Sequence, residues 1–173
     1  DGANQIEPLV RQIKSFNQPA VAMTDHGNMF GAVEFYRKAK DAGVKPIIGL
    51  EGYMAPGSRL VRNPAERSPF HLTLLAQNAT GYRNLIKLSS ASHLEGFYYK
   101  PRMDRELLAA HSEGIIALSG CPSGELMGAL GEGREADAEA VAGWYADVFP
   151  GRYYLEIQEH GQEQFSRLNK PVV

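Results

Sequence analysis

A single cysteine, Cys121, stands among 173 residues. No internal disulfide can form, which argues against a secreted cystine-stapled module and for a reducing compartment. Apolar runs fall far short of the roughly 20 residues that cross a bilayer, and no signal or transit segment is visible. An excess of basic charge is lacking too: 18 Lys plus Arg stand against 20 Asp plus Glu, for a formal charge of −2. Such a chain has no basic field to hold a phosphate backbone, so any nucleic-acid contact must be local or borrowed from a neighbour. Internal repeats, coiled-coil heptads and low-complexity tracts are absent as well. What is present is a hydrophobic content of 43%, enough for the core of one domain over residues 1–173 and too much for a disordered tail.

Ile6, Leu9, Val10 and Ile13 recur at helical spacing, which predicts a helix from Asn4, as N-cap, to Phe16. An apolar run from Pro19 to Thr24 reads as a buried strand, Met29–Ala42 as a helix closed by Gly43, and Lys45–Glu51 as the next strand. The polar stretch Ala55–Pro69, with Arg59, Arg62 and Arg67, reads as a solvated loop or long hairpin tip. Phe70–Ala76 is a strand; Asn78 and Asp104 are expected to cap helices. Gly114–Leu118 and Arg152–Ile157 are further strands, with helices at Glu125–Leu130 and Glu135–Phe149 between them. This order favours an α/β domain built on a largely parallel sheet or barrel. Asp1-Gly2 looks like a turn after a strand and Pro171–Val173 like the start of one, so the expectation is a barrel cut at both ends. The stretch Gly161–Lys170 is short for a crossover, which suggests a truncated helix or an absent segment near Asn169-Lys170.

Parallel strands deliver their carboxyl ends to the mouth where ligands bind. Here those ends carry Asp25-His26, Glu51, Cys121 and Glu159-His160. Imidazole, carboxylate and thiolate are the ligand set of zinc and related first-row ions. Each residue also has a plain structural use: a His after Asp often caps a turn, and a lone Cys in a Gly-Pro-Ser loop is often inert. His93 and His111 read as surface residues. His71 precedes its apolar run. A hairpin centred near residue 61 pairs positions summing to about 122 and would set His71 opposite Glu51. Asp1 precedes a helix and is a further candidate at the same mouth.

The series Thr24-Asp25-His26-Gly27-Asn28, Lys45–Glu51, His71–Ala76, Gly81–Leu85 and Ser119-Gly120-Cys121-Pro122 resembles the polymerase-and-histidinol-phosphatase (PHP) domain of bacterial DNA polymerase III α subunits. The resemblance extends through Phe97–Asp104 and Tyr154–Ile157 and covers nearly the whole chain in order. It implies a distorted seven-stranded β/α barrel, incomplete here at both ends, with a cluster of up to three divalent ions. Zinc or manganese is the expected metal, with magnesium as the alternative. Carried over by position, Asp1, His26, Glu51, His71 and Cys121 match metal ligands, Glu51 and His71 are the residues expected to carry catalysis, and Asp25 and His160 would orient neighbouring groups. The family's His-x-His before Asp1 and Asp-x-His after Val173 fall outside the sequence.

The resemblance further implies a 3′→5′ proofreading exonuclease acting on a DNA primer end. Its partners would be other domains of the same polypeptide and replisome subunits, in the bacterial cytoplasm at the nucleoid and away from membranes. The alternatives are a non-catalytic, metal-braced scaffold for a polymerase core and a small-molecule phosphomonoesterase. Polymerisation itself belongs to other domains in such proteins.

Overall fold

The computed structural model describes residues 3–64, 68–158, 161, 163, 165 and 169. Asp1, His160 and the final strand expected at Pro171–Val173 lie outside them, as does much of the Gly161–Lys170 stretch. The first helix, α1 (Ile6–Ser15), starts later than its predicted cap: extended Gln5, not Asn4, occupies the N-cap and makes no side-chain cap bond. Pro8 fits the first turn because an N–H there has no intrahelical partner to lose. Strand β1 (Ala20–Met23) follows, then α2 (Ala32–Asp41), which ends at Gly43 with φ +75°. Val10, Ala39 and Val44 form one small core between these elements, and Met23, Ala32 and Phe35 a second.

Strand β2 (Lys45–Met54) is the spine of the sheet. One of its edges is taken by antiparallel β3 (Phe70–Ala76). Its other edge is shared end to end: residues 45–48 pair in parallel with β1. Residues 53–54 pair in parallel with β5 (Lys100–Met103), itself the second arm of a hairpin whose first arm is β4 (Phe97–Tyr98). Beyond β3 lie antiparallel β6 (Ile115–Leu118) and then parallel β7 (Tyr153–Tyr154). The resulting sheet is mixed and, among the described residues, open. The Arg152–Ile157 strand is shorter than predicted because β6 turns away after Leu118. From there the Ser119 hydroxyl, rather than a ladder partner, accepts from the Glu156 N–H at 2.8 Å.

The remaining helices are α3 (Ala79–Leu94), α4 (Arg105–Ala110), α5 (Glu125–Gly131) and α6 (Glu135–Val148). The predicted caps hold: Asn78 accepts from Gly81 N and Asp104 from Leu107 N, both at 3.0 Å. Leu50, Leu72 and Leu74 face these helices and join Leu85, Leu88, Leu108, Ile115 and Phe149 in the main core. Because strand side chains alternate, the residues between them, Glu51, Tyr53, His71 and Thr73, stand on the opposite face. A half-polar strand alternation has therefore separated a helix-covered core from a chemical face. No described helix is long and apolar enough to cross a membrane.

Ala55–Pro69 is a hairpin tip that is largely exposed where described, but Ala55 and Arg59 depart from the solvated reading. The Arg59 backbone N–H and guanidinium both donate to the buried Asp104 carboxylate, at 2.9 and 3.0 Å, and the guanidinium also reaches Glu95 at 2.8 Å. Fully buried Arg102 donates to the carbonyls of Arg59 and Val61 at 3.0 and 2.8 Å. Arg67 lies outside the described residues.

Candidate metal centre

The chain leaving β1 continues alongside β2 through two backbone bonds, Glu51 N–H to the Asp25 carbonyl at 3.0 Å and Gly27 N–H to the Glu51 carbonyl at 2.8 Å. These set His26 beside Glu51 as a parallel bridge. The turn needs glycine at position 27. Its φ is +68°, and a Cβ there would lie 2.8 Å from Pro101 Cγ and 2.9 Å from the Tyr53 ring. His93, expected only as a surface residue, has its Nε2 2.9 Å from the Gly27 carbonyl and braces this turn from α3.

The hairpin register differs from the predicted one. Paired residues sum to 124, so Glu51 faces Thr73 and His71 faces Tyr53. Glu51 and His71 are diagonal neighbours rather than directly opposite, but parity keeps both side chains on one face, and diagonal pairs are within reach. On the far side of β3, the His71 N–H donates to the Ser123 carbonyl at 3.1 Å, and His71 pairs with Gly124. This folds the Ser119–Gly124 loop back against the strand and carries Cys121 to the imidazole.

Four of the predicted side chains therefore meet. Oε1 of Glu51 lies 3.1 Å from Nε2 of His26 and 2.7 Å from Nδ1 of His71. Cys121 Sγ lies 3.4 Å from that same His71 nitrogen. One ligand atom from each of His26, Glu51 and His71 falls within 4.8 Å of the others. Metal–ligand bonds of about 2.0–2.3 Å set the ligand atoms of one ion roughly 3–3.7 Å apart; the 3.1 and 3.4 Å separations fall in that window, the 2.7 Å Glu51–His71 contact is a hydrogen-bond distance, and the donor types suit a divalent ion. Burial holds the His71 imidazole below its ordinary pKa, with help from the positive charges of His26 and Lys100 and against the pull of Glu51. That keeps the ring in the neutral form that binds metal.

Glu51 and His71 are only about one-fifth exposed, whereas His26 is 39% exposed and opens to solvent. Asp25 gives its backbone carbonyl to Glu51 and lines a second cavity beside α1 with Asn4, Thr24 and Asn28. Tyr53, which the sequence reading passed over, stacks on His26 and meets His71 edge-on, with centroids 6.2 and 5.3 Å apart. Its position two residues beyond Glu51 on the same strand was the available signal.

The PHP domain family matches residues 1–160. A DNA polymerase III subunit alpha from Mycobacterium tuberculosis is 50% identical over 177 aligned residues, covering 93% of this chain and 15% of that protein. Its counterpart in Deinococcus radiodurans is 48% identical over all of this chain and 14% of its own length. The Thermus aquaticus subunit is 47% identical over 98% of this chain and 14% of its own length. The chain thus spans about one-seventh of the length of the curated relatives it matches.

Proposed function

The chain belongs to the PHP domain family, and on that premise we propose that it is the metal-binding domain of a DNA polymerase III α subunit, hydrolysing phosphodiester bonds at a primer 3′ end. The observation that carries the reading is the meeting of Glu51 and His71, on neighbouring strands, with His26 and Cys121 from the loops after β1 and β6. Its relatives' name supplies the substrate class. In this reading the sheet is part of a distorted β/α barrel. Asp1 adds a carboxylate to the cluster, and Asp25 and His160 orient neighbouring groups.

Divalent ions bound there supply Lewis-acid polarisation of the phosphate and acidify water. The imidazole and thiol donors favour zinc over magnesium, while the carboxylates would also suit manganese. Glu51 presents one carboxylate oxygen to both histidines and so fixes their separation. His71, packed against Tyr53, aims Nδ1 at the Glu51 carboxylate, which accepts its N–H; with the ring proton moved to Nε2, that nitrogen can hold a bound ion in the same position, while the helix-packed face behind β3 prevents the strand from shifting. Cys121 is held by the folded-back loop. The chain's own charge of −2 gives no grip on DNA, so the primer end is delivered by other domains of the polypeptide within the cytoplasmic replisome.

The test is release of 3′-terminal nucleotides from a frayed primer by the metal-replete protein, beside Glu51→Gln and His71→Ala variants with their metal content measured. Loss of both metal and nucleotide release supports the reading; release that persists without metal overturns it. A second reading, a metal-braced scaffold without catalysis, is favoured by the way β1, β2, β3 and the Cys121 loop are joined at this one point. It predicts loss of stability on metal removal from a protein that never released nucleotides. Hydrolysis of a small phosphate ester but not of a primer end would instead indicate a phosphomonoesterase.

A further inference from the structure

Beside the His26–Glu51–His71 cluster opens a cavity of about 760 Å³, whose wall includes His26, Tyr53, His71, Tyr99, Lys100 and Ser123. Two features of that wall are unexplained by metal binding. Tyr99 is the apex of the β4–β5 hairpin, between the paired residues Tyr98 and Lys100, and its φ is +58°. Glycine or asparagine fills such a position at low cost, whereas a bulky aromatic there is an outlier. The residue is nonetheless 67% exposed, so no core burial compensates for the backbone. It does meet Tyr98 edge-on, with centroids 4.7 Å apart. Lys100 is the second feature. It is the one Lys or Arg on this cavity's wall among the described residues, and its Nζ sits 5.3 Å from the centroid of Tyr53, the ring that touches both histidines.

An exposed ring and a cation, adjacent in sequence and opening on a metal-ligand cluster, match the two halves of a nucleotide. We propose that the Tyr99–Lys100 hairpin tip is the nucleotide-recognition element of this site, with Lys100 binding a phosphate oxygen and Tyr99 stacking on the base. Stacking gives an aromatic at a strained apex a use, since every base offers a π-face whatever its sequence. The single cation explains how a chain without a basic field can still hold the one phosphate at its site. The inference rests on the reading of the site as a nucleotide-processing metal centre.

The test is equilibrium binding of thymidine 5′-monophosphate and of inorganic phosphate to the full-length, metal-replete polypeptide, measured by calorimetry. Tyr99→Asn, which suits the backbone but removes the ring, should weaken thymidine monophosphate about tenfold and leave phosphate within about twofold; Tyr99→Phe should restore the nucleotide. Lys100→Met should weaken both ligands by roughly tenfold, as loss of a charge-assisted bond does. Equal effects of Tyr99→Asn on both ligands, no effect on either, or no binding by the unaltered protein would overturn the proposal. Because binding needs no turnover, the two readings fail separately. The expected pattern in a protein that releases no nucleotide removes the exonuclease and keeps the recognition element. Nucleotide release with an unchanged KM in Tyr99→Asn removes the element and keeps the exonuclease.

Discussion

At the residue scale, Glu51 is the point through which the cluster is organised, because both imidazoles approach the same carboxylate oxygen. Glu51→Gln preserves the shape but replaces an anionic oxygen with a neutral amide. The expected outcome is loss of at least one bound ion by elemental analysis and a fall in nucleotide release of about a hundredfold or more, against a small change in the far-ultraviolet spectrum. Cys121→Ser separates two uses of the cysteine. As a metal ligand its loss should weaken zinc by more than the roughly 10- to 100-fold that loss of a group merely orienting a ligand costs. As inert packing it would change metal affinity little, since the thiol is only partly buried. A competition titration with a metal-binding dye decides between them.

At the scale of elements, the hairpin that follows β2 is latched to the rest of the domain through Arg59 and Asp104. Burial alone would push the Asp104 carboxyl up. The backbone N–H groups of Arg59 and Leu107 and the Arg59 charge outweigh it and hold the group below its ordinary value. A depressed carboxyl contributes stability that is fully present above its unfolded pKa of about 3.9 and is lost as pH falls through the lower folded value. Asp104→Asn removes one of the two carboxylates paired with the Arg59 guanidinium, leaving Glu95, and should cost about 1–2 kcal/mol near neutral pH. The deficit should begin to shrink below about pH 4, where the carboxyl of the unfolded chain takes up its proton first, and should vanish only below the depressed folded value; urea melts at several pH values measure both.

This latch also shows where the sequence was legible. Asp104 announced itself as a helix cap, and the alternation of β3 placed His71 on a strand. The run 55–69, by contrast, looks solvated because nothing local marks Arg59 as paired with a residue 45 positions away. The β4–β5 hairpin was missed for a related reason. Its apex is Tyr99 rather than a glycine and Pro101 lies within its second arm, so the usual turn and strand signals were both absent. The two-position register error at Glu51 had no consequence for the site's face, because a shift by an even sum preserves side-chain parity.

Helix–sheet contact sets another limit at this scale. A Cβ on Gly81, in the first turn of α3, would lie 1.8 Å from the Gly114 carbonyl oxygen, a rigid backbone atom at the entrance to β6. Gly81→Ala must therefore push α3 off the strand that carries the Cys121 loop. The expected cost is about 3 kcal/mol, seen as a thermal midpoint lowered by roughly 6–12 °C, with metal affinity falling in step because the loop's anchorage moves.

For the whole molecule, the cluster joins β1, β2, β3 and the loop after β6, so a bound ion is linked to the folding of the entire sheet. Ligand that binds only the folded state at a hundred times its dissociation constant adds about 2.7 kcal/mol. Chelation should then lower the melting temperature by roughly 5–11 °C for a chain of this size. Both the catalytic and the scaffold readings share that shift, and it cannot choose between them. Glu51→Gln can, when stability, primer extension and 3′-nucleotide release are followed in the same full-length preparation. A catalytic centre predicts that restoring the melting temperature with excess metal restores extension while nucleotide release stays depressed, because the carboxylate oxygen is still missing. A scaffold predicts that extension follows stability alone and that the unaltered protein releases no nucleotides under any metal.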